Sequence, residues 1–304
     1  MPAVRIDAGL ATYNPRMAAP PAPVPILRFP TAEEMIKSAD EVRAHYEAHG
    51  ALLLDDCGLD YDTEFIHRLS FPPEWKKYGT VNGMTIPPVV FVDGGFKRTP
   101  NPLGQMIKED AMLLKTYSEL LRLEMGFKLL IMELFPAYRQ IQWINCTFRF
   151  TPSENEPSHL DVFNEGKPFL PELQLPRLKF FMNVDSQPRV WTVGPSLADV
   201  LKYSDGTLGE SLPADVNQVC DIVNKSGILD NLPSVRIEIP PRGIVFANGA
   251  TVVHQLVYGR RMVALEALMP AWNVAASEWD LIGDWITGAG YRAQAPELPA
   301  ATAS

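Results

Sequence analysis

The sequence predicts an α+β fold in which a helical N-terminal half precedes a β-sandwich or barrel core. Three observations carry that prediction. Between Gly104 and Phe135 the apolar residues recur at three- and four-residue steps, including Met106, Leu113, Leu114, Tyr117, Leu120, Leu121 and Met125, the period of one helix face. From Gln140 the period changes to two, and QIQWINCTFRF alternates through β-branched and aromatic residues, which signals a strand. Further strand-like runs follow at LKFFMNV, VRIEI, GIVFANG, TVVHQLVY and RMVALEALM. Helices first and short strands second is the order of a segregated α+β chain.

Residues 1–24 are rich in Pro and Ala and read as a flexible arm. A single domain is expected over 25–290. It divides into a helical annex (25–138), a β core (139–272) and a C-terminal helix (273–290), followed by a flexible tail (291–304). Thr31 is placed to cap a helix, with Glu33 and Glu34 in its first turn and Gly50 to end it. ALLLDDCG then reads as a short buried strand, and Asp62 to Leu69 as a second helix. The segment 71–103 carries six prolines and several glycines and is expected to be a long irregular loop. After Gln140, SLADVLKY and PADVNQVCDIV read as short helices between strands. A last helix around Ala275–Thr287 carries Trp279 and Trp285.

Bulk composition narrows the function. With 304 residues and 46% hydrophobic composition, the chain can bury a large core. The net charge is -9, and the 27 Lys and Arg are dispersed. No basic face concentrated enough for a nucleic acid is expected. Cys57, Cys146 and Cys220 are widely spaced and suggest neither a disulfide framework nor a cysteine metal site. A reducing cytoplasm is the natural setting. No secretory leader is visible, and no apolar run approaches the roughly 18–20 residues of a bilayer span.

The chemistry concentrates in two of the five histidines. His45, His49 and His67 fall on predicted helices without a metalloprotease-like carboxylate, and read as surface or packing residues. His159 and Asp161 instead form a His-x-Asp pair on an extended segment, where residues i and i+2 point to one side. His254 lies 93 residues beyond Asp161, inside TVVHQLVY. Two histidines and one carboxylate can occupy one face of an octahedral iron(II) ion, leaving three sites for a bidentate keto acid and O2. HQLVY, the turn residues Gly259-Arg260 and RMVALEAL read as a β-hairpin that returns Arg261 beside His254. There its guanidinium would clamp the distal carboxylate of 2-oxoglutarate. Arg260 is the competing candidate, and Lys179 on LKFFMNV can assist. Asn183 and Asn145 are candidates to orient ligands. Trp143, Phe148, Phe150, Phe163 and Phe180 are candidates to line the pocket, half of them expected to face away, and Trp191 reads as a packing anchor.

The pattern His159-x-Asp161 … His254 … Arg261 resembles the iron(II)/2-oxoglutarate-dependent oxygenase superfamily. Three stretches are similar to its Kdo hydroxylase-like branch: TFRF before SHLDVF, LKFFMNVDSQPRVWTVG, and VVHQLVYG with ALEALMP. The likeness covers about residues 140–270, with a looser match at HGALLLDD. It implies a double-stranded β-helix (jelly-roll, cupin-like) core with flanking helices. It also implies Fe(II) held by His159, Asp161 and His254, and 2-oxoglutarate near Arg261. The expected activity is oxidation of a C–H bond, chiefly hydroxylation, in a small molecule such as a sugar acid or natural-product intermediate, with release of succinate and CO2. The connection GRRMV and the loop FNEGKPFLPELQLP depart from the branch. Both shape a pocket, so the sugar-acid substrate itself is not carried over. An iron oxygenase of this fold without 2-oxoglutarate, or a non-enzymatic cupin-like metal module, are the rival readings.

Overall fold

In the computed structural model the described residues are 19–71, 77–81, 87–138, 140–150, 152–162, 177–204, 207–269 and 282–294. The chain enters the fold through a strand, β1 (Ile26–Thr31), which runs parallel to β2 (Ala51–Asp56) and sets Leu27 opposite Leu52. The helix expected between Thr31 and Gly50 is two helices, α1 (Ala32–Lys37) and α2 (Ala39–Glu47), broken at Ser38. Thr31 caps the first, its hydroxyl accepting from the Glu34 amide. Asp62 does the same for α3 (Thr63–Arg68), accepting from the Phe65 amide.

The described parts of the segment expected to be an irregular loop hold strands. They include β3 (Lys77–Val81) and a hairpin of β4 (Val89–Val92) and β5 (Gly95–Arg98). Asp93 and Gly94 turn that hairpin with φ of 53° and 77°. This is the positive-φ pair that a tight hairpin demands and that an Asp-Gly dipeptide supplies. The long periodic stretch resolves into α4 (Pro102–Met106) and α5 (Asp110–Leu134).

The remaining elements are β6 (Gln142–Arg149), β7 (Ser153–Glu154), β8 (Arg177–Asn183), β9 (Arg189–Ser196), α6 (Leu197–Tyr203), β10 (Ser211–Pro213), α7 (Val216–Lys225), β11 (Val235–Ile239), β12 (Ile244–Phe246), β13 (Val252–Gly259), β14 (Met262–Leu268), α8 (Ile282–Gly288) and β15 (Arg292–Gln294). One sheet has seven strands in the order β1-β2-β12-β8-β14-β6-β3, and a second has four, β11-β9-β13-β7. β15 pairs with β10, so residues 292–294 are strand where a tail was expected. Trp279 and residues 275–281 lie outside the described residues.

Each sheet face has its own core. On the outer face of the large sheet, Tyr46, Phe127, Phe135, Phe148, Phe180 and Phe246 pack with α2 and α5. Between the two sheets lie Leu53, Phe181, Trp191, Val193, Ile237, Val245, Leu256 and Met262. Outside the small sheet, Leu160, Leu197, Val200, Val219, Val223, Val253, Trp285 and Ile286 form a third core under α6, α7 and α8. Fully burying one such side chain contributes roughly 1.5–3 kcal/mol. Cys57, Cys146 and Cys220 are buried thiols. Among the described residues no helix is long and apolar enough to cross a membrane.

Two expectations change. VWTVGPS is strand β9, at the heart of the small sheet; its continuous apolar run lacks the alternation that marks a half-exposed strand. β13 and β14 are not a hairpin. β13 belongs to the small sheet and β14 to the large one, so the Gly259–Arg261 connection arches between layers. Sequence periodicity is the same for both cases, because it reports a strand and not its pairing partner.

Candidate metal centre

The site is built by a segment that runs alongside β13. β7 pairs Glu154 with Tyr258, and the contact continues as the Asn155 amide donates to Val257 O and the Glu156 amide to Leu256 O. His159 and His254 then exchange backbone hydrogen bonds of 2.9 and 3.0 Å, and the Asp161 amide donates to Gly249 O at 2.6 Å. Between the two motif residues, Leu160 turns its side chain into the outer core of the small sheet. Extended backbone alternates, so burying Leu160 outward turns His159 and Asp161 inward. Asn224 on α7 locks that register from behind. Its Oδ1 accepts from the Leu160 amide and its Nδ2 donates to the Leu160 carbonyl, both at 2.8 Å.

Among the described residues, His159, Asp161 and His254 are a group whose ligand atoms all lie within 4.8 Å of one another, as a shared metal ion requires. Nε2 of His159 is 3.8 Å from Oδ1 of Asp161, and Nε2 of His254 is 3.9 Å from Oδ2. The imidazole centroids are 4.4 Å apart. Nδ1 of His159 meets Pro157 O at 2.9 Å, and Nδ1 of His254 meets Val252 O at 3.0 Å. A carbonyl can only accept, so each Nδ1 carries the proton and each Nε2 keeps its lone pair for a metal. Gly249 makes room. A Cβ there would lie 2.7 Å from the Asp161 carboxyl carbon and 3.0 Å from Cε1 of His254.

The electrostatics suit a cation. Burial pushes the His254 pKa down to about 4, with the Asp161 carboxylate offsetting only part of that effect, so the ring is neutral near pH 7. Burial alone would raise the Asp161 pKa, but the ammonium of Lys179 and the two imidazoles hold it well below the ordinary carboxylate range. Lys179 reaches Oδ2 of Asp161 directly from β8. Trp191 covers the site from β9, its ring stacked on His254 at 5.1 Å between centroids.

The other expected residues are distributed differently. Arg260 binds Asp185 with Nε and Nη2 at 3.1 and 3.2 Å. Arg261 donates to Asp185 at 3.5 Å and to Leu69 O at 3.1 Å. Along β14, Met262 faces the core between the sheets while Val263 and Leu265 face the helices. Arg261 shares the helix-facing parity and reaches Leu69 on that side. The contacts of neither arginine include the triad. Asn183 is tied to a turn, its Nδ2 donating to Gln187 O and Ile239 O. Phe148, Phe150 and Phe180 lie in the helix-side core, with Trp143 packed against it. Phe163 and the Asn145 side chain lie outside the described residues. His45 bonds the carbonyls of Pro25 and Ala51 through Nε2, and His49 packs edge-on against Trp285. Sequence reasoning missed Asn224 and Gly249. Nothing local marks Asn224, whereas the Asn248-Gly249 dipeptide just before β13 was a readable turn signal.

No protein-family model matches the chain, and no curated protein matches it. Solved structures do. The apo structure of the Kdo hydroxylase KdoO, a non-heme Fe(II) alphaketoglutarate dependent dioxygenase, aligns with a TM-score of 0.64 at 16% identity, covering 87% of this chain and 95% of that one. The fold is shared with KdoO. The KdoO complex with alphaketoglutarate and Fe(III) gives a TM-score of 0.64 at 15% identity, over 88% of this chain and 97% of that one. The KdoO complex with cobalt(II) gives 0.63 at 16% identity, over 90% and 99%.

Proposed function

We propose that the chain is an iron(II)/2-oxoglutarate-dependent oxygenase with a double-stranded β-helix core, acting on a C–H bond of a small molecule, with hydroxylation as the main outcome. The observation that carries this reading is the triad itself. Two Nε2 lone pairs and one ionised carboxylate converge while both Nδ1 positions are fixed by backbone carbonyls. The likeness to KdoO in complex with alphaketoglutarate and Fe(III) supports it. In this reading residues 25–290 are one oxygenase domain.

His159, Asp161 and His254 would hold the iron on one face, leaving open positions opposite. Bound iron with 2-oxoglutarate and O2 supplies the oxidising power for the C–H bond, and succinate and CO2 are released. The chain's own residues set the conditions. The triad brings one negative charge, so a divalent ion keeps net positive charge for an anionic keto acid. Lys179 holds the outer carboxylate oxygen and keeps Asp161 ionised. The indole of Trp191 shields one side of His254 from water. Asn224 holds the backbone between the two motif ligands, as a supporting residue of a metal site must.

Anaerobic addition of Fe(II) and then 2-oxoglutarate tests the reading. A weak visible charge-transfer band is expected in the wild-type chain and not in Asp161→Ala, and a screen of sugar acids and natural-product intermediates should reveal succinate release. A chain that forms no band and releases no succinate would fit a metal-binding module instead. Turnover that needs iron and O2 but no keto acid would fit the other rival.

A further inference from the structure

Arg189, the first residue of β9, is a buried cation with two nitrogens that no acceptor meets among the described residues. The side chain is buried, with the residue only 3% exposed. Its Nε and Nη1 have no hydrogen-bond partner among the described residues. A guanidinium stays charged at neutral pH, and a buried charge left unpaired is expensive. Burial and the nearby Arg149 push its pKa down, but only to about 9.

The surroundings supply electrostatic compensation but no acceptor for those two nitrogens. Glu156 and Asp185 are the carboxylates that act on Arg189. Glu156 is engaged by Arg149 and Ser153, and Asp185 by Arg260 and Arg261. The fold nonetheless makes space for this side chain. A Cβ at Gly259 would lie 2.8 Å from the Arg189 guanidinium carbon. Arg189 shares its strand face with Trp191 and Val193, which lie in the core between the sheets. Its guanidinium carbon sits 6.0 Å from the Trp191 ring, and the same indole stacks on His254. Arg189 therefore stands one indole away from the metal ligands, on the inner side of the small sheet.

We propose that Arg189, rather than Arg261, anchors the outer carboxylate of the keto acid. This rests on the 2-oxoglutarate reading above. A five-carbon diacid bound to the metal through its keto-acid end extends its second carboxylate inward, and Arg189 offers that carboxylate unsatisfied N–H donors. Arg261 has Nη1 on Asp185 and Nη2 on Leu69 O, and although its Nε has no partner among the described residues, the side chain lies on the helix-facing parity of β14.

The test is calorimetry on Mn(II)-loaded protein without oxygen, comparing 2-oxoglutarate with 2-oxopentanoate, which has the same carbon count but no outer carboxylate. Wild type is expected to prefer 2-oxoglutarate by about thirtyfold or more. Arg189→Met should bind the two keto acids alike, with Mn(II) affinity unchanged, and Arg189→Lys should keep a reduced preference. Ligand-free Arg189→Met should also melt at or above the wild-type temperature, because an apolar side chain replaces an unpaired buried cation. An Arg189→Met protein that keeps the full preference overturns the assignment and leaves the oxygenase reading standing. One that melts far below wild type, or does not fold, marks a structural arginine and overturns it too. Wild type that takes Mn(II) but ignores 2-oxoglutarate overturns both.

Discussion

Along β8, Leu178, Phe180 and Met182 turn toward the helices and are fully buried, whereas Lys179, Phe181 and Asn183 turn toward the small sheet. The two faces of one strand thus have different tasks. The helix-facing side is a cluster of rings, with Phe180 in contact with Tyr46, Phe127, Phe135 and Phe246. The inner side mixes apolar packing with charged groups, and Lys179 meets the site carboxylate there. A face that only fills volume accepts rings, while a face that must hold a cation and an anion keeps charged side chains and bears their desolvation cost. Damage to the two faces should therefore register in different measurements.

The largest separation should come from Asp161→Ala. Metal affinity is expected to fall by more than about 100-fold and turnover to background, while circular dichroism stays that of a folded chain. Phe180→Ala should do the reverse. Urea unfolding should show a loss of about 3–5 kcal/mol, while the protein that remains folded keeps its Mn(II) affinity. Loss of metal affinity in that variant without loss of stability would break the division. Asn224→Ala should weaken metal binding by about tenfold, because Leu160 loses both backbone bonds from α7.

The smallest effect is on pH. The His254 pKa lies near 4 in the folded chain and near 6.5 when unfolded. The unfolded chain thus takes up a proton that the folded chain refuses. This residue's contribution is fully present above pH 6.5 and is lost as pH falls toward 4. His254→Gln should flatten the stability curve of the metal-free protein across that interval. Asp161, held low, makes its contribution above the ordinary carboxylate range and loses it only in stronger acid.

The same two faces explain what was legible in the sequence. Period-two runs located β6, β8 and β14 because each has one largely apolar side, and β13 stood out by its β-branched and aromatic residues. The buried strand β9 escaped for lack of alternation, and β1 and β15 are short edge pieces within Pro-rich surroundings. His159, Asp161 and His254 stood out because their chemistry is tied to local spacing and strand context. The hairpin that set Arg261 beside His254 was a pairing error. A return strand was assumed to lie beside β13, but β14 joins the other sheet. Arg189 was invisible for a similar reason, since an arginine opening an unrecognised strand has no face until the strand is seen. Asn224 is separated from Leu160 by 64 residues, and only the folded chain brings them together.

In the proposed function one ion is shared by residues from two distant segments. An anaerobic crystal structure with Mn(II) and 2-oxoglutarate addresses it most directly. A single ion is expected, bonded to Nε2 of His159, Nε2 of His254 and a carboxylate oxygen of Asp161, with the keto acid completing its shell. An ion held elsewhere, or imidazoles that ligate through Nδ1 after giving up their carbonyl partners, would contradict it.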